Sequence, residues 1–361
     1  MKKPVLIFPA GMPLALEFLG KCLREERSVI GASSLGYDPS KDKYPAWVHL
    51  PYVTDRGFNH ALKQAVENLG IGEIYTPNIV VWNHLSKTLC TLCPGVTLAN
   101  SSPVDDALNG YRKALDKARY LATNQLSLAS NRLPRKFPSE IEVAALSRYA
   151  DVIPGMCDDH KFQALLEIGR YSPKGDIVEI GSWWGKSAFI LARLAQCFDI
   201  GKLLCIDPWE NSLLLQGEQF VDSGSAQVDA EEAMTVFQIG LLPFNANHIN
   251  YLRMTSVEAA AYYKSHRSVS TQAFGHTEYS GQISILHVDG NHAYEAAKAD
   301  IESWKIFVMA GGWIIIDDYV WPYGDGPKRA GDEFLNSHRF EVSTAFVMGT
   351  ALFIQLTSRS L

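Results

Sequence analysis

Along this chain the spacing of apolar positions switches repeatedly between short unbroken runs and a helical period. Runs bounded by proline or glycine, such as "VLIFPAG" from Val5 and "SVIGASS" from Ser28, predict buried strands. Between them, "PLALEFLGKCLRE" brings Leu14, Phe18 and Cys22 onto one face of a helix. "GFNHALKQAVENLG" predicts another helix, closed by Gly70, and "EIYTPN" a further strand. Strands that alternate with helices imply a parallel sheet, so residues 1–97 are expected to form a small α/β, Rossmann-like auxiliary domain. Residues 98–150 are polar with a helical pattern, as in "VDDALNGYRKALDKARYLATNQLSLA", and two prolines in "NRLPRKFPSE" interrupt them. They read as a helical connecting region.

The third segment, residues 151–361, repeats the alternation more clearly. Helices are predicted at "HKFQALLEIGRYS", "KSAFILARLAQCF", "SVEAAAYYKSH" and "AYEAAKADIESWKIFVMAGG". Strands are predicted at "DIVEIG", "KLLCID", "INYLRM", "ISILHVD" and "WIIIDD". "FEVSTAF" and "TALFIQL", joined across Gly349, read as a hairpin. The fold class expected is α/β, a doubly wound Rossmann-like sheet with a C-terminal antiparallel hairpin. Residues 211–247 lack either period and are expected to act as a lid.

Composition narrows the classes. The 361 residues, 47% hydrophobic and 20% charged, suit a globular protein of about two domains. A formal charge of −6 with no basic run gives no sign of a nucleic-acid partner. Pro4, Pro9 and Pro13 interrupt the apolar start, which reads as strand, turn and helix rather than a signal peptide. No apolar segment is long enough to span a membrane. The six scattered cysteines suggest reduced thiols and a cytoplasmic setting. Cys90 and Cys93 form one CxxC, but a zinc site needs two more ligands at suitable spacing, and small apolar packing explains them better.

Candidate chemistry lies at strand ends, where open α/β sheets bind ligands. Those ends carry Glu179, Asp207, Asp289 and the pair Asp317–Asp318. One such carboxylate could be a helix cap; four in one domain point to a site. In "EIGSWWGKS", Gly181 and Gly185 lie between a strand and a helix N-terminus, which favours an anion. The spacing is GxxxG, where a dinucleotide fingerprint would read GxGxxG. Asp207, one helix later, is placed for a ribose diol.

On these residues the segment from about 159 to 356 resembles a class I S-adenosylmethionine-dependent methyltransferase. "VEIGSWWGKSAFILARLA" is similar to that family's first motif and "LLCIDPWE" to its second. The resemblance implies S-adenosyl-L-methionine as cofactor, held by Glu179, Gly181, Ser182, Trp183, Gly185, Ser187, Asp207, Ser256 and Asp289. Ser256, in "RMTSVEAA", falls where the family meets the adenine end. "HVDGNHAYE" with "IIIDDY" further resembles the metal-dependent sugar O-methyltransferases of macrolide biosynthesis. That likeness implies Asp289, Asp317 and Asp318 as ligands of a divalent cation, Mg2+ by preference. It also implies His292 as the catalytic base beside Asp289. The acceptor implied is a sugar hydroxyl of a small molecule.

The chemistry is coherent, because hard oxygen ligands suit magnesium and a hydroxyl near a divalent cation loses its proton more easily. Alternatives stay open at this point. His292 could be an exposed or capping imidazole, and Asp318 could support rather than bind a metal. Tyr294 and Glu295 read as loop support. Aromatics in "YVWPYGDGPKRAGDEFL" could stack on a sugar ring or simply pack. The N-terminal domain vaguely resembles the nucleotide-type fold that precedes ATP-grasp domains. Its "FPAGMP" turn has no glycine-rich phosphate loop, so an assembly or acceptor-positioning role is expected, in a homo-oligomer. Two rivals remain: a nicotinamide-dependent oxidoreductase, which would need GxGxxG after a strand, and a non-catalytic module that binds the cofactor.

Overall fold

A computed structural model describes residues 3–130, 132–215, 222–224 and 227–357. The chain divides into two units, Met1–Lys113 and Ala114–Leu361. In the first, β1 (Val5–Ile7), α1 (Pro13–Arg24), β2 (Val29–Ser33), β3 (Trp47–His49), α2 (Phe58–Leu69), β4 (Glu73–Tyr75), α3 (Ile79–Leu92) and β5 (Thr97–Leu98) follow in order. The strands form one parallel sheet in the order β3-β2-β1-β4-β5. Successive side chains of a strand point to opposite faces. Accordingly Val5 and Ile7 pack with Ala15, Leu19 and Cys22 of α1, whereas Leu6 packs with Leu62 of α2 and Leu85 of α3. Gly70 adopts φ 64° to close α2, a left-handed cap that glycine tolerates.

Helix α4 (Pro103–Thr123) runs across the division in the sequence and is followed by α5 (Glu140–Ala150). The second unit continues with α6 (Asp159–Tyr171), β6 (Asp176–Ile180), α7 (Lys186–Cys197), β7 (Leu203–Ile206), α8 (Ala230–Leu241), β8 (Ile249–Leu252) and α9 (Ser256–Ser265). Then come β9 (Ser268–Thr271), β10 (Gly275–Glu278), β11 (Ile283–Val288), α10 (Tyr294–Trp304), β12 (Val308–Ile316), α11 (Gly326–Ser337), β13 (Val342–Met348) and β14 (Ala351–Leu356). Seven strands pair in the order β13-β14-β12-β11-β6-β7-β8, while β9 and β10 form a separate antiparallel pair. The five strands from β12 to β8 are parallel, and β14 and β13 run antiparallel at the edge, as the hairpin pattern predicts. Strand order reverses between β6 and β11, the switch point where such sheets bind ligands.

The period-two rule also decides what faces the site. Val178, Ile180, Leu286, Val288, Ile314 and Ile316 enter one core cluster with residues of α9, α10 and α11. Ile177, Ile285, Trp313 and Ile315 enter the other, with residues of α5, α6, α7 and α8. Glu179, His287 and Asp317 alternate in step with that second set. Three polar side chains therefore enter the sheet face covered by α6.

Two expectations are corrected. The helix read through "KIFVMAGG" ends at Trp304, and Val308–Ile316 is a nine-residue strand. Gly311 there takes φ 75°, and a Cβ at Gly312 would lie 2.9 Å from the Met309 carbonyl oxygen, so the glycines serve a strand that starts irregularly. The stretch 211–247 contains α8, started by Asp229, whose carboxylate accepts from the Glu231 and Glu232 amides. Of that expected lid, residues 216–221 and 225–226 lie outside the described residues. Among the described residues no helix is long and apolar enough to cross a membrane.

Candidate active site

Parallel pairing carries on one residue past the strand ends and lines them up. The Asp289 amide donates to the Ile180 carbonyl at 2.8 Å, Asp317 to Val288 at 2.9 Å, and Gly181 to Ile206 at 2.8 Å. Gly181, Asp289 and Asp317 thus stand along one rim. Gly181 has φ 80°, and a Cβ on it would lie 1.9 Å from the Asp289 carbonyl oxygen. Glycine is needed here because two strand ends meet at backbone distance.

The first-motif loop is held by its own carboxylates. Glu179, fully buried, accepts from the Ser182 hydroxyl at 2.7 Å and faces His287 Nδ1 at 3.1 Å. Asp207 accepts from the Trp183 amide at 2.9 Å and the Trp209 amide at 2.7 Å, and Trp209 Nε1 donates to the Trp183 carbonyl. Burial pushes the Asp207 carboxyl up to about 6, against the pull of these backbone bonds. The Ser182 amide is a third donor to this carboxylate, which leaves about one lone-pair site for a further donor such as a ribose hydroxyl. Gly185, with φ 92°, starts α7; a Cβ there would lie 2.5 Å from Leu241. Its missing side chain makes room for α8. Ser187 is buried in the first turn of α7.

Ser256 opens α9 behind a capping box made by Thr255 and Glu258. Trp304 Nε1 donates to the Ser256 hydroxyl oxygen at 3.0 Å, and that hydroxyl bonds Asp300. Burial pushes Asp300 up to about 6, with the Ser256 bond opposing. For a carboxyl raised from 3.8 the sign is unusual. Between about pH 4 and 6 the unfolded chain ionises first, so this contribution to stability falls as pH rises. Asp300→Asn keeps the Ser256 partner and removes the ionisation. Its stability advantage over the natural chain is expected to grow by on the order of 2–3 kcal/mol between about pH 4 and 7, read as denaturant unfolding midpoints against pH. A constant difference across that range would refute the assignment.

Beyond the rim, His292 Nε2 lies 3.0 Å from Asp318 Oδ2, with both side chains mostly buried. Trp321 sets its edge against the imidazole, with ring centroids 4.4 Å apart. That contact is packing, one of the two uses the aromatic loop offers in sequence. His292 Nδ1 is buried with no hydrogen-bond partner among the described residues. An imidazole anchored through one nitrogen, with the other unpaired, has the form of an oriented base. Asp318 takes φ 50°, a left-handed backbone that aspartate tolerates better than most residues. Burial raises the Asp289 carboxyl, while Lys161 and His287 oppose the rise.

Two sets of side chains bring one possible ligand atom each within 4.8 Å of one another: Asp289, His292 and Asp318, and His287, Asp289 and Asp317. These sets bring together Asp289, His292, Asp317 and Asp318 of the residues singled out in the sequence, without Glu179 or Asp207, and two residues that sequence reasoning missed stand with them. His287 is fully buried, with Nε2 3.8 Å from Asp317 Oδ2. Lys161, from the first turn of α6, pairs with Asp317 and lies 3.6 Å from Asp289. His287 was findable, since the polar break in "ISILHVD" matches the one in "DIVEIG" strand for strand.

Residues 178–319 match a family model described as a methyltransferase domain. Among solved structures, the chain is similar to the O-methyltransferase NovP, at 15% identity over 70% of this chain and 100% of that one, with TM-score 0.37. It is similar to CalS11, a TDP-rhamnose 3'-O-methyltransferase in calicheamicin biosynthesis, at 15% identity over 71% and 96%, with TM-score 0.36. A further match is the MycE methyltransferase of the mycinamycin pathway, in complex with Mg, SAH and mycinamycin VI. It has 15% identity over 60% of this chain and 54% of that one, with TM-score 0.37.

Proposed function

We propose that this chain, whose residues 178–319 match a methyltransferase-domain model, is a class I S-adenosylmethionine-dependent enzyme that methylates a hydroxyl of a sugar or glycosylated small molecule with help from a divalent cation. The observation that carries this reading is the His292–Asp318 pair, set beside Asp289 on the rim and next to the cofactor loop. The cofactor would supply a sulfonium methyl for in-line transfer to an oxygen, leaving as the neutral thioether. Trp183, pinned to Asp207, and the loop after Glu179 would hold it. Asp289 and Asp318 offer carboxylate oxygens that suit magnesium, which would make a neighbouring hydroxyl more acidic. His292 Nδ1 would take the hydroxyl proton while Asp318 fixes the ring. Trp321 restricts water at the imidazole from one side.

The test is direct. Small molecules released from the purified full-length protein are identified by mass spectrometry, and S-adenosylhomocysteine binding is measured by calorimetry. Labelled methyl transfer is then followed on nucleotide-linked deoxysugars and glycosides, with and without a chelator. Cofactor binding with chelator-sensitive transfer to a sugar is expected. Cofactor binding without transfer to any hydroxyl acceptor would favour the non-catalytic alternative; no affinity for S-adenosylhomocysteine would sink the proposal.

A further inference from the structure

Lys161 is 1% exposed, and its ammonium group lies between two carboxylates of the rim, paired with Asp317 and 3.6 Å from Asp289. Its backbone is fixed as well, because the Asp158 carboxylate accepts from the His160 and Lys161 amides at the start of α6. A buried ammonium keeps its charge only beside carboxylates, so this position is built for a cation. The other bonds of Asp317 point the same way. Its Oδ1 accepts from the Asp318 amide and the Thr350 hydroxyl, each at 3.0 Å, and its Oδ2 takes Lys161. Asp318, by contrast, pairs with the His292 imidazole, has the Asp289 carboxylate nearby and is partly open to solvent.

A divalent cation drawn to Asp317 would stand against a fixed positive charge, and like charges at such range repel strongly. Asp289 lies 3.6 Å from the ammonium, outside hydrogen-bond distance, and Asp318 pairs with the His292 imidazole. We propose that Lys161 is the resident cation of this rim, that Asp317 is its counter-ion rather than a metal ligand, and that a divalent cation is confined to Asp289 and Asp318. This rests on the metal-assisted reading above and narrows its ligand set.

Mn2+ serves as the probe, with binding to the full-length protein followed by electron paramagnetic resonance in the absence of acceptor, so that activity is not the readout. Asp318→Asn is expected to weaken Mn2+ binding by about tenfold or more, and Asp317→Asn by less than about threefold. The amide oxygen that Asp317→Asn introduces can still accept from the Asp318 amide and Thr350. Lys161→Met, where it folds, should bind Mn2+ more tightly than the natural chain; where it does not, the two asparagine variants decide. Equal losses in Asp317→Asn and Asp318→Asn would overturn the inference and leave the metal reading standing. Binding seen only in Lys161→Met would uphold the resident cation and remove metal assistance from the proposed function. Absence of Mn2+ binding in both the natural chain and Lys161→Met overturns both.

Discussion

Single-turnover methyl transfer by His292→Ala should be about 10²–10⁴-fold slower than by the natural chain, the usual worth of a positioned general base. Cofactor affinity should change little, because His292 pairs with Asp318 and Trp321, whereas Asp207 is held by the Trp183 and Trp209 amides. The loss should appear in the chemical step, so rapid-quench measurement at saturating cofactor and acceptor is the readout. Asp318→Asn offers the complementary result. It preserves a polar partner for Nε2 but removes a carboxylate assigned to the divalent cation, so its rate should fall as well, and raising the Mg2+ concentration should restore part of that loss but none of the loss in His292→Ala. Full activity in His292→Ala would make "DGNHAYE" a structural turn and end its assignment as base.

The largest effect on stability is expected from Gly181→Ala. The added carbon would sit 1.9 Å from the Asp289 carbonyl oxygen, far inside contact distance, and φ 80° is itself unfavourable for alanine. The obstacle is backbone, so no side-chain rotation relieves it. Relief requires the ends of β6 and β11 to separate, and with them the hydrogen bond from the Asp289 amide to Ile180. A loss of about 3 kcal/mol or more is expected, within the range of severe strain and overpacking. Urea unfolding checks it. A loss below about 1 kcal/mol would show that the rim yields and that the close approach is not needed.

Much of this architecture was legible because period-two alternation survives in the central strands. Ile177 and Glu179 opposite Val178 and Ile180 already assign two faces, and the acidic ends follow from where the apolar runs stop. Legibility failed where local pattern and tertiary use part company. "SVST" and "GHTE" are too polar to announce the β9–β10 pair, whose residues are tied together through Asn250 instead. Lys161 is the deeper omission. In "DHKFQALLEIGRY" a lysine in the first turn reads as solvated, yet α6 is buried from Lys161 to Tyr171. Only the packing of that helix over Glu179, His287 and Asp317 gives the lysine a purpose, and no property of the helix sequence reveals what it will cover.

Gly185 has a consequence for how this chain can change over time. Its hydrogen is the surface on which Leu241 and Phe237 rest, and its φ of 92° bars most replacements outright. A bulkier residue at 185 could not be rescued by trimming Leu241 alone, since the backbone would still object. Substitutions at 237 and 241, by contrast, have room to trade volume with each other while the glycine stays. Drift in α8 is therefore answerable to a loop much earlier in the chain, and a graft of that helix from another protein would have to bring its own fit to Gly185.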